Sequence, residues 1–123
     1  MKDIAALLNQ AQQFSMQSEE EQARMILLEI LENEPENIAA LLMLGGSYFT
    51  SEKYQEAEMA FERLVLLAPG RGQCSIALFN CLWIQDRKEE ALEEISRFMR
   101  IADRDKEQVT IAQYVKMIEQ IGL

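Results

Sequence analysis

A 34-residue periodicity runs through most of this 123-residue chain and constrains its fold more than any other feature. Pro35 and Pro69 are 34 residues apart, and each follows an apolar run rich in acidic residues, which is typical of a helix that ends before a turn. Four columns of like residues keep the same period: Ala23, Ala57 and Ala91; Leu27, Phe61 and Ile95; Ile30, Leu64 and Phe98; Phe14, Tyr48 and Leu82. Counting back from the prolines places three repeats at 4–37, 38–71 and 72–105.

The apolar period within each repeat is helical and is interrupted once, which predicts a helical hairpin. In the middle repeat, one face of the first helix holds Leu41, Leu44, Gly45 and Tyr48, and one face of the second holds Tyr54, Ala57, Phe61 and Leu64. A hairpin cannot bury its apolar face alone. We therefore expect an all-α fold in which three helix-turn-helix repeats stack into a short α-solenoid, as a single domain over residues 1–123.

The ends of the helices carry start signals. Ser18 with Glu21 and Asp86 with Glu89 have capping-box spacing, so we expect Ser18 and Asp86 to begin the second helices of their repeats. By the same spacing, Asp105 with Gln108 predicts a capping helix at about 106–121 that ends before Gly122.

These residues resemble the pattern of the tetratricopeptide repeat (TPR) family over nearly the whole chain. The middle repeat matches that pattern at Leu41, Leu44, Gly45, Tyr48, Ala57, Phe61, Leu64 and Pro69. The third repeat diverges, because Phe79 stands where a small residue lets two helices approach and Asp103 stands where Pro is expected. Wider packing is expected there. The resemblance implies a non-enzymatic protein that binds a protein or peptide partner on the concave surface lined by the first helices.

The composition excludes several classes of function. The net charge of −9 argues against sequence-independent binding to nucleic acid or to an anionic membrane, since both require a surplus of cations. The chain has no His, which removes the commonest general base and metal ligand. The N-terminus is too polar for a signal peptide and no apolar run can span a membrane, so we expect a cytoplasmic protein.

Two cysteines and two carboxylate pairs are the remaining candidates for a metal or redox site. On one helix, Cys74 and Cys81 would lie about 10 Å apart along the axis, beyond the reach of a disulfide, so we interpret them as small buried residues. The pairs Glu89–Glu90 and Glu93–Glu94 are expected on an exposed helix face beside Lys88 and Arg97. We therefore predict no catalytic residue, no metal and no cofactor.

Nine residues of the first helices are expected to line the partner-binding groove: Leu8, Gln12, Met16, Leu42, Met43, Phe49, Ile76, Asn80 and Trp83. Family members that bind the C-terminal carboxylate of chaperones use Lys, Arg and Asn at matching positions. Here those positions hold Leu8, Gln12, Leu42, Gly46, Ile76 and Asn80, without a cation. The apolar majority favours an amphipathic helix or an extended apolar segment, with Gln12 and Asn80 supplying hydrogen bonds.

Three other interpretations stay open. Trp83 and Phe49 could be ordinary packing residues, with the C-terminal helix folded over part of the groove. The groove could instead contact a second copy of the chain, which would make the protein a homodimer and a structural self-assembly module. The acidic first third, with a net charge of −5 over residues 1–35, could be a solvated convex face or could steer a basic partner.

Length, acidity and groove character are also similar to those of the small helical chaperones of bacterial type III secretion. That resemblance implies an adaptor or chaperone that masks aggregation-prone subunits. It rests on overall character and on no diagnostic motif.

Overall fold

A computed structural model describes residues 3–122 of the chain. Within them the chain forms seven α-helices and no β-strand. The helices are α1 (Ile4–Met16), α2 (Glu20–Asn33), α3 (Ile38–Thr50), α4 (Tyr54–Leu67), α5 (Gly72–Ile84), α6 (Lys88–Ile101) and α7 (Gln108–Ile121). Consecutive helices pair as the hairpins α1–α2, α3–α4 and α5–α6, and α7 follows. The predicted all-α class, with three hairpins and a C-terminal helix, is confirmed.

The helices group into two compact units, Met1–Leu67 and Ala68–Leu123. In the first unit, α2 packs against both α1 and α3, and α3 packs against α4. Its core includes Ala11, Leu27, Ile30, Ala40 and Leu44. In the second unit, α6 and α7 both pack on α5, and Phe79, Phe98 and Tyr114 are buried there. Each unit therefore has its own core.

The three hairpin turns share one geometry, with a left-handed residue at each 34-residue step. Ser18, Glu52 and Asp86 have φ of 61°, 60° and 62°. In the first turn, the N–H of Ser18 donates to the carbonyl of Ser15 and that of Glu19 donates to the carbonyl of Phe14, which is the Schellman pattern. The other two turns repeat both bonds.

The prediction that Ser18 and Asp86 begin the second helices is wrong. Glu19 and Arg87 occupy the N-cap positions of α2 and α6, and neither makes a side-chain capping bond. Ser18 and Asp86 instead close the preceding helices. Ser and Asp are favoured at both kinds of position, because their short polar side chains also tolerate the left-handed conformation.

Small residues recur at equivalent buried positions of the paired helices. Ala23, Ala57 and Ala91 are fully buried. An ideal Cβ on Gly45 would lie 2.3 Å from Cε1 of Phe61, so only Gly fits opposite that ring. In the third hairpin Phe79 takes the place of Gly45, and α5 and α6 pack less closely than α3 and α4, as the sequence predicted.

The N-termini of the first helices are capped in two ways. Asp3 and Asn37 cap α1 and α3 by accepting hydrogen bonds from the N–H groups of Ala6 and Ala40. Arg71 stands at the same position before α5 and makes no such bond. The cap of α5 comes instead from α7, because Oε1 of Glu107 accepts the N–H of Gly72 at 2.7 Å.

The connection from α6 to α7 also differs from the prediction. Asp105 does not cap α7: the N-cap residue is Glu107, which makes no side-chain capping bond to its own helix. Asp103 stabilises the turn instead, since its Oδ1 accepts the N–H groups of Asp105 and Lys106. Asp103 therefore stabilises the turn at the position where the family pattern has Pro.

Candidate functional site

The predicted groove residues divide between the two units. In the first unit they are Leu8, Gln12 and Met16 on α1 and Leu42, Met43 and Phe49 on α3, and we call this set the α1–α3 face. Leu8, Gln12 and Met16 follow at intervals of four residues, so they lie along one side of α1. Leu8 and Met43 pack against the core of the unit, whereas Met16 is 78% exposed.

Phe49 is half-buried, and its ring meets that of Tyr54 edge to face at a centroid distance of 5.3 Å. Tyr54 begins α4, the second helix of the same hairpin. Phe49 therefore combines a packing contact within its hairpin with an accessible ring surface. Leu42 is also half-buried, while Gln12 is exposed.

A cleft of about 370 Å³ opens beside the α1–α3 face. It is lined by Gln12, Ser15, Glu20, Met43, Gly46, Ser47 and Thr50. Of the predicted residues, the cleft brings together Gln12 and Met43. An ideal Cβ on Gly46 meets nothing within 4 Å, so this side of α3 has room for an added group. The lining is more polar than the sequence predicted for the groove.

The floor of the cleft is a hydrogen-bonded chain of polar side chains. Ser47 Oγ donates to Glu20 Oε2 at 2.5 Å and accepts from Arg24 Nη1 at 3.0 Å. The same nitrogen donates to Ser51 Oγ at 3.0 Å, and the guanidinium lies over the ring of Tyr48 at 5.2 Å from its centroid. Arg24 is 9% exposed, so a cation is buried behind the cleft. Its hydrogen bonds fix the position of the Glu20 carboxylate through Ser47.

Glu20, Arg24 and Ser47 were not predicted from the sequence as parts of this site. No spacing marks them in the sequence, where Arg24 is distinguished only as the one cation between Lys2 and Lys53. Its hydrogen-bond partners, Ser47 on α3 and Ser51 at the C-cap of α3, are more than 20 positions away.

The three predicted groove residues of the second unit lie on α5. Ile76 is half-buried and Asn80 is exposed. The half-buried Trp83 stacks on Phe79 at a centroid distance of 5.6 Å, and Nζ of Lys88 lies 5.2 Å from its ring centroid. Trp83 is thus part of the aromatic packing of its unit, carries the Lys88 ammonium over its ring and is only partly accessible.

A buried polar chain connects α5, α6 and α7 in the second unit. Ser75 Oγ donates to Glu94 Oε2 at 2.6 Å and is 2.7 Å from the hydroxyl oxygen of Tyr114. Arg97 donates two hydrogen bonds to the Glu94 carboxylate and a third to the carbonyl of Pro69. Burial raises the pKa of Tyr114, so its phenol is neutral.

The expectation that Glu94 lies on an exposed helix face is wrong. Glu94 is 6% exposed, and its carboxylate is satisfied by Ser75 and by the forked guanidinium of Arg97. The proximity of Arg97 to Glu94 was predicted from their spacing, but the burial of Glu94 was not. Tyr114 is the third member of this hydrogen-bonded group and lies on α7, 20 residues after Glu94.

The remaining candidates for chemistry are the two cysteines and the acidic side chains. Cys74 and Cys81 are buried and form no disulfide, and burial raises the pKa of Cys74. Over residues 3–122, no three carboxylates or thiols are grouped so that they could hold a metal ion. None of the helices in that range is long and apolar enough to cross a bilayer.

Comparison with known proteins is consistent with this geometry. The family model of the tetratricopeptide repeat matches residues 5–37 and 39–70, more than half of the chain. No curated protein matches the chain.

Several solved structures share the fold. A point mutant of MamA aligns with a TM-score of 0.72 at 18% identity, over 84% of this chain and 75% of that one. A double mutant of MamA RS-1 aligns with a TM-score of 0.72 at 23% identity, over 81% of this chain and 57% of that one. The second TPR of Spaghetti (RPAP3), bound to the HSP90 peptide SRMEEVD, aligns with a TM-score of 0.72 at 14% identity, over 80% and 91%. The chain thus spans little more than half the length of some of these structures.

Proposed function

The chain belongs to the tetratricopeptide repeat family, and on that premise we propose that it is a non-enzymatic module that binds a segment of a partner protein on the α1–α3 face. The observation that best supports this site is the open cleft beside Gly46, where accessible polar groups meet half-buried apolar side chains. Pockets of that mixed character are typical of peptide recognition, since apolar contacts supply affinity and a few polar groups fix the orientation.

The proposed ligand is an amphipathic or extended segment that places one side chain in the cleft. Leu8 and Leu42, which lie on the same face outside the cleft, would provide further apolar contact, and the flexible Met43 in the lining can adapt to the shape of the segment. The exposed amide of Gln12 and the hydroxyl of Thr50 line the cleft and can hydrogen-bond the backbone of the segment. Specificity would then come from the single side chain that enters.

The charge of the cleft favours a neutral or basic segment. Glu20 contributes a carboxylate to the lining, which includes no cation. The RPAP3 domain holds an acidic peptide, SRMEEVD. A segment of that kind would place its carboxylates near Glu20 in this chain, and like charges at close range weaken binding. We therefore propose that acidic C-terminal peptides are not ligands.

The α5 residues Ile76, Asn80 and Trp83 are proposed as a separate contact. Their side chains are accessible in part, and Trp83 offers an aromatic surface that partner proteins often use. A cytoplasmic location and a chaperone role stay predictions of the sequence.

A second candidate function is self-assembly. Met16, Met59 and Leu66 of the first unit are each more than 70% exposed, and a second copy of the chain could cover them. Sedimentation velocity of the pure protein separates the two functions. A dimer that persists on dilution supports self-assembly, and a monomer supports an open α1–α3 face.

The proposed site is tested by quantitative pull-down from a cell extract with the wild type and three variants. Leu42→Asp places a charge on the α1–α3 face, and Ile76→Asp does the same on α5. Leu66→Asp is the matched control, because Leu66 is 78% exposed on α4 and lies outside both sets. Circular dichroism checks that each variant is helical.

We expect one or more proteins to be retained by the wild type and by Leu66→Asp. The retained amount should fall about tenfold or more with Leu42→Asp. Loss of the partner with Ile76→Asp as well would support the proposed contact on α5. Equal retention by all four proteins would contradict the proposed site.

A further inference from the structure

The outward side of α2 carries a stripe in which two apolar residues are enclosed by two acids. Glu21, Met25, Leu28 and Glu32 follow at intervals of four, three and four residues, which aligns them along one side of the helix. Met25 is 72% and Leu28 is 47% exposed. Glu21 and Glu32 are exposed as well. We call these four residues the α2 stripe.

The negative charge of the α2 stripe is not balanced from its own helix. Arg24 is the only cation on α2, and its side chain is directed inward to Ser47 and Ser51. Lys53 and Arg63 lie at the margins. Lys53 and the buried Arg24 line a cleft with Glu19, Glu20 and Glu21, and Arg63 lines one with Glu34 and Glu36. At each margin the acids thus outnumber the cations. Neither Lys53 nor Arg63 lines a cleft with Met25 or Leu28, the two apolar residues in the middle of the stripe.

We propose that the α2 stripe docks a basic amphipathic helix of a partner protein. Its apolar side would cover Met25 and Leu28, and Lys or Arg residues flanking that side would pair with Glu21 and Glu32. Adaptable Met side chains are common where a helix of variable sequence is bound. This surface is distinct from the α1–α3 face, so either site can fail without the other.

Charge complementarity selects this occupant over the alternatives. A second copy of the chain would bring a net charge of −9 and the same two acids against the stripe. Repulsion between like charges disfavours that arrangement, and it disfavours an anionic bilayer in the same way. A basic helix gains both the apolar and the electrostatic contact.

The hairpin α3–α4 supplies a matched control. Met59 is 34 residues after Met25 and is 73% exposed, so the two methionines are equivalent in position and accessibility. Around Met59, however, Gln55 stands in place of Glu21, Glu62 in place of Leu28 and Leu66 in place of Glu32, so the control lacks both the flanking acids and the second apolar residue. A ligand that recognises only exposed methionine would respond to both positions, whereas the proposed ligand responds to Met25.

The test titrates the isotopically labelled full chain with a synthetic Lys/Leu amphipathic peptide of about 18 residues, or five helical turns. The same composition in scrambled order serves as the control peptide. Amide chemical shifts locate the contact, and fluorescence anisotropy gives the dissociation constant for the wild type, Met25→Ser, Met59→Ser and the double variant Glu21→Gln, Glu32→Gln.

We expect shifts confined to α2 and its neighbours, with binding weakened about tenfold by Met25→Ser and by the double variant, and unchanged by Met59→Ser. Raising the salt concentration should weaken binding, because it screens exposed charges. Equal effects of Met25→Ser and Met59→Ser, equal binding of the scrambled peptide, shifts on α1 and α3 alone, or no binding would each overturn the proposal.

Discussion

The ring of Phe61 occupies the space that a side chain on Gly45 would need, since an ideal Cβ there would lie 2.3 Å from Cε1. The next residue, Gly46, is the opposite case, because a Cβ there meets nothing within 4 Å. Two adjacent glycines of one helix thus have different roles. Gly45 sets the distance between α3 and α4, and Gly46 leaves the cleft open.

The two glycines should respond to alanine with opposite signs. Gly45→Ala forces Phe61 or the helices to move and should lower the free energy of unfolding by about 1–3 kcal/mol. Gly46→Ala gains helix propensity without a clash and should raise it by about 0.5–1 kcal/mol. Urea denaturation of both variants measures the difference. A loss of stability in both would mean that Gly46 is packed.

The turn residue Glu52 should be improved by glycine. It is exposed and has a φ of 60°, which costs about 1–2 kcal/mol for a residue with a Cβ. Gly removes that cost but loses more conformational entropy on folding, about 0.5–1 kcal/mol. Glu52→Gly should therefore raise stability by a few tenths to about 1 kcal/mol in thermal or urea unfolding. Glu52→Val, which is branched at Cβ, should lower it.

The cap that Glu107 supplies to α5 should be replaceable only in part. Glu107→Ala removes the carboxylate that accepts the Gly72 N–H and should cost about 1 kcal/mol. Arg71 stands where Asp3 and Asn37 cap the other first helices by accepting the N–H three residues on. Adding Arg71→Asn to Glu107→Ala should therefore recover part of the loss, because the new amide can accept the Cys74 N–H but not the Gly72 N–H. A double variant no more stable than Glu107→Ala would show that the contact with α7 matters beyond capping.

Tyr114 should make stability fall at alkaline pH. Burial raises the pKa of its phenol above the ordinary value, so above about pH 10 the unfolded chain releases this proton and the native state keeps it. The unfolded state then binds fewer protons, and the free energy of unfolding decreases as pH rises. At neutral pH, Tyr114→Phe should cost only about 0.5–1.5 kcal/mol, because it loses the hydrogen bond to Ser75 and keeps the ring.

Urea denaturation of the wild type and Tyr114→Phe at several pH values from 8 to about 11 tests this linkage. The wild type should lose stability more steeply than the variant above about pH 10. Parallel profiles would show that the phenol of Tyr114 does not contribute.

The sequence predicted those parts of the fold that depend on periodic burial. The alanine column at Ala23, Ala57 and Ala91 marks the helix crossings because only small residues fit there. The period did not distinguish a residue that closes a helix from one that starts the next, since Ser18 and Asp86 suit both positions. Their role depends on backbone hydrogen bonds across the turn.

The candidate site was predicted in part for a similar reason. Spacing alone places Leu8, Gln12 and Met16 on one side of α1. The floor of the cleft depends on Glu20 and Ser47, which are 27 residues apart and meet only after α2 packs on α3. Such side-chain hydrogen bonds leave no periodic signal in the sequence.

The central claim is that a partner segment occupies the cleft beside Gly46. The most direct test measures the dissociation constant of a captured partner segment for the wild type, Gly46→Ala and Gly46→Leu. Leucine would fill the cleft from a position where added atoms meet open space, so the fold should persist. The account predicts about tenfold or weaker binding for Gly46→Leu, with Gly46→Ala close to the wild type. Equal affinity of the wild type and a folded Gly46→Leu would contradict it.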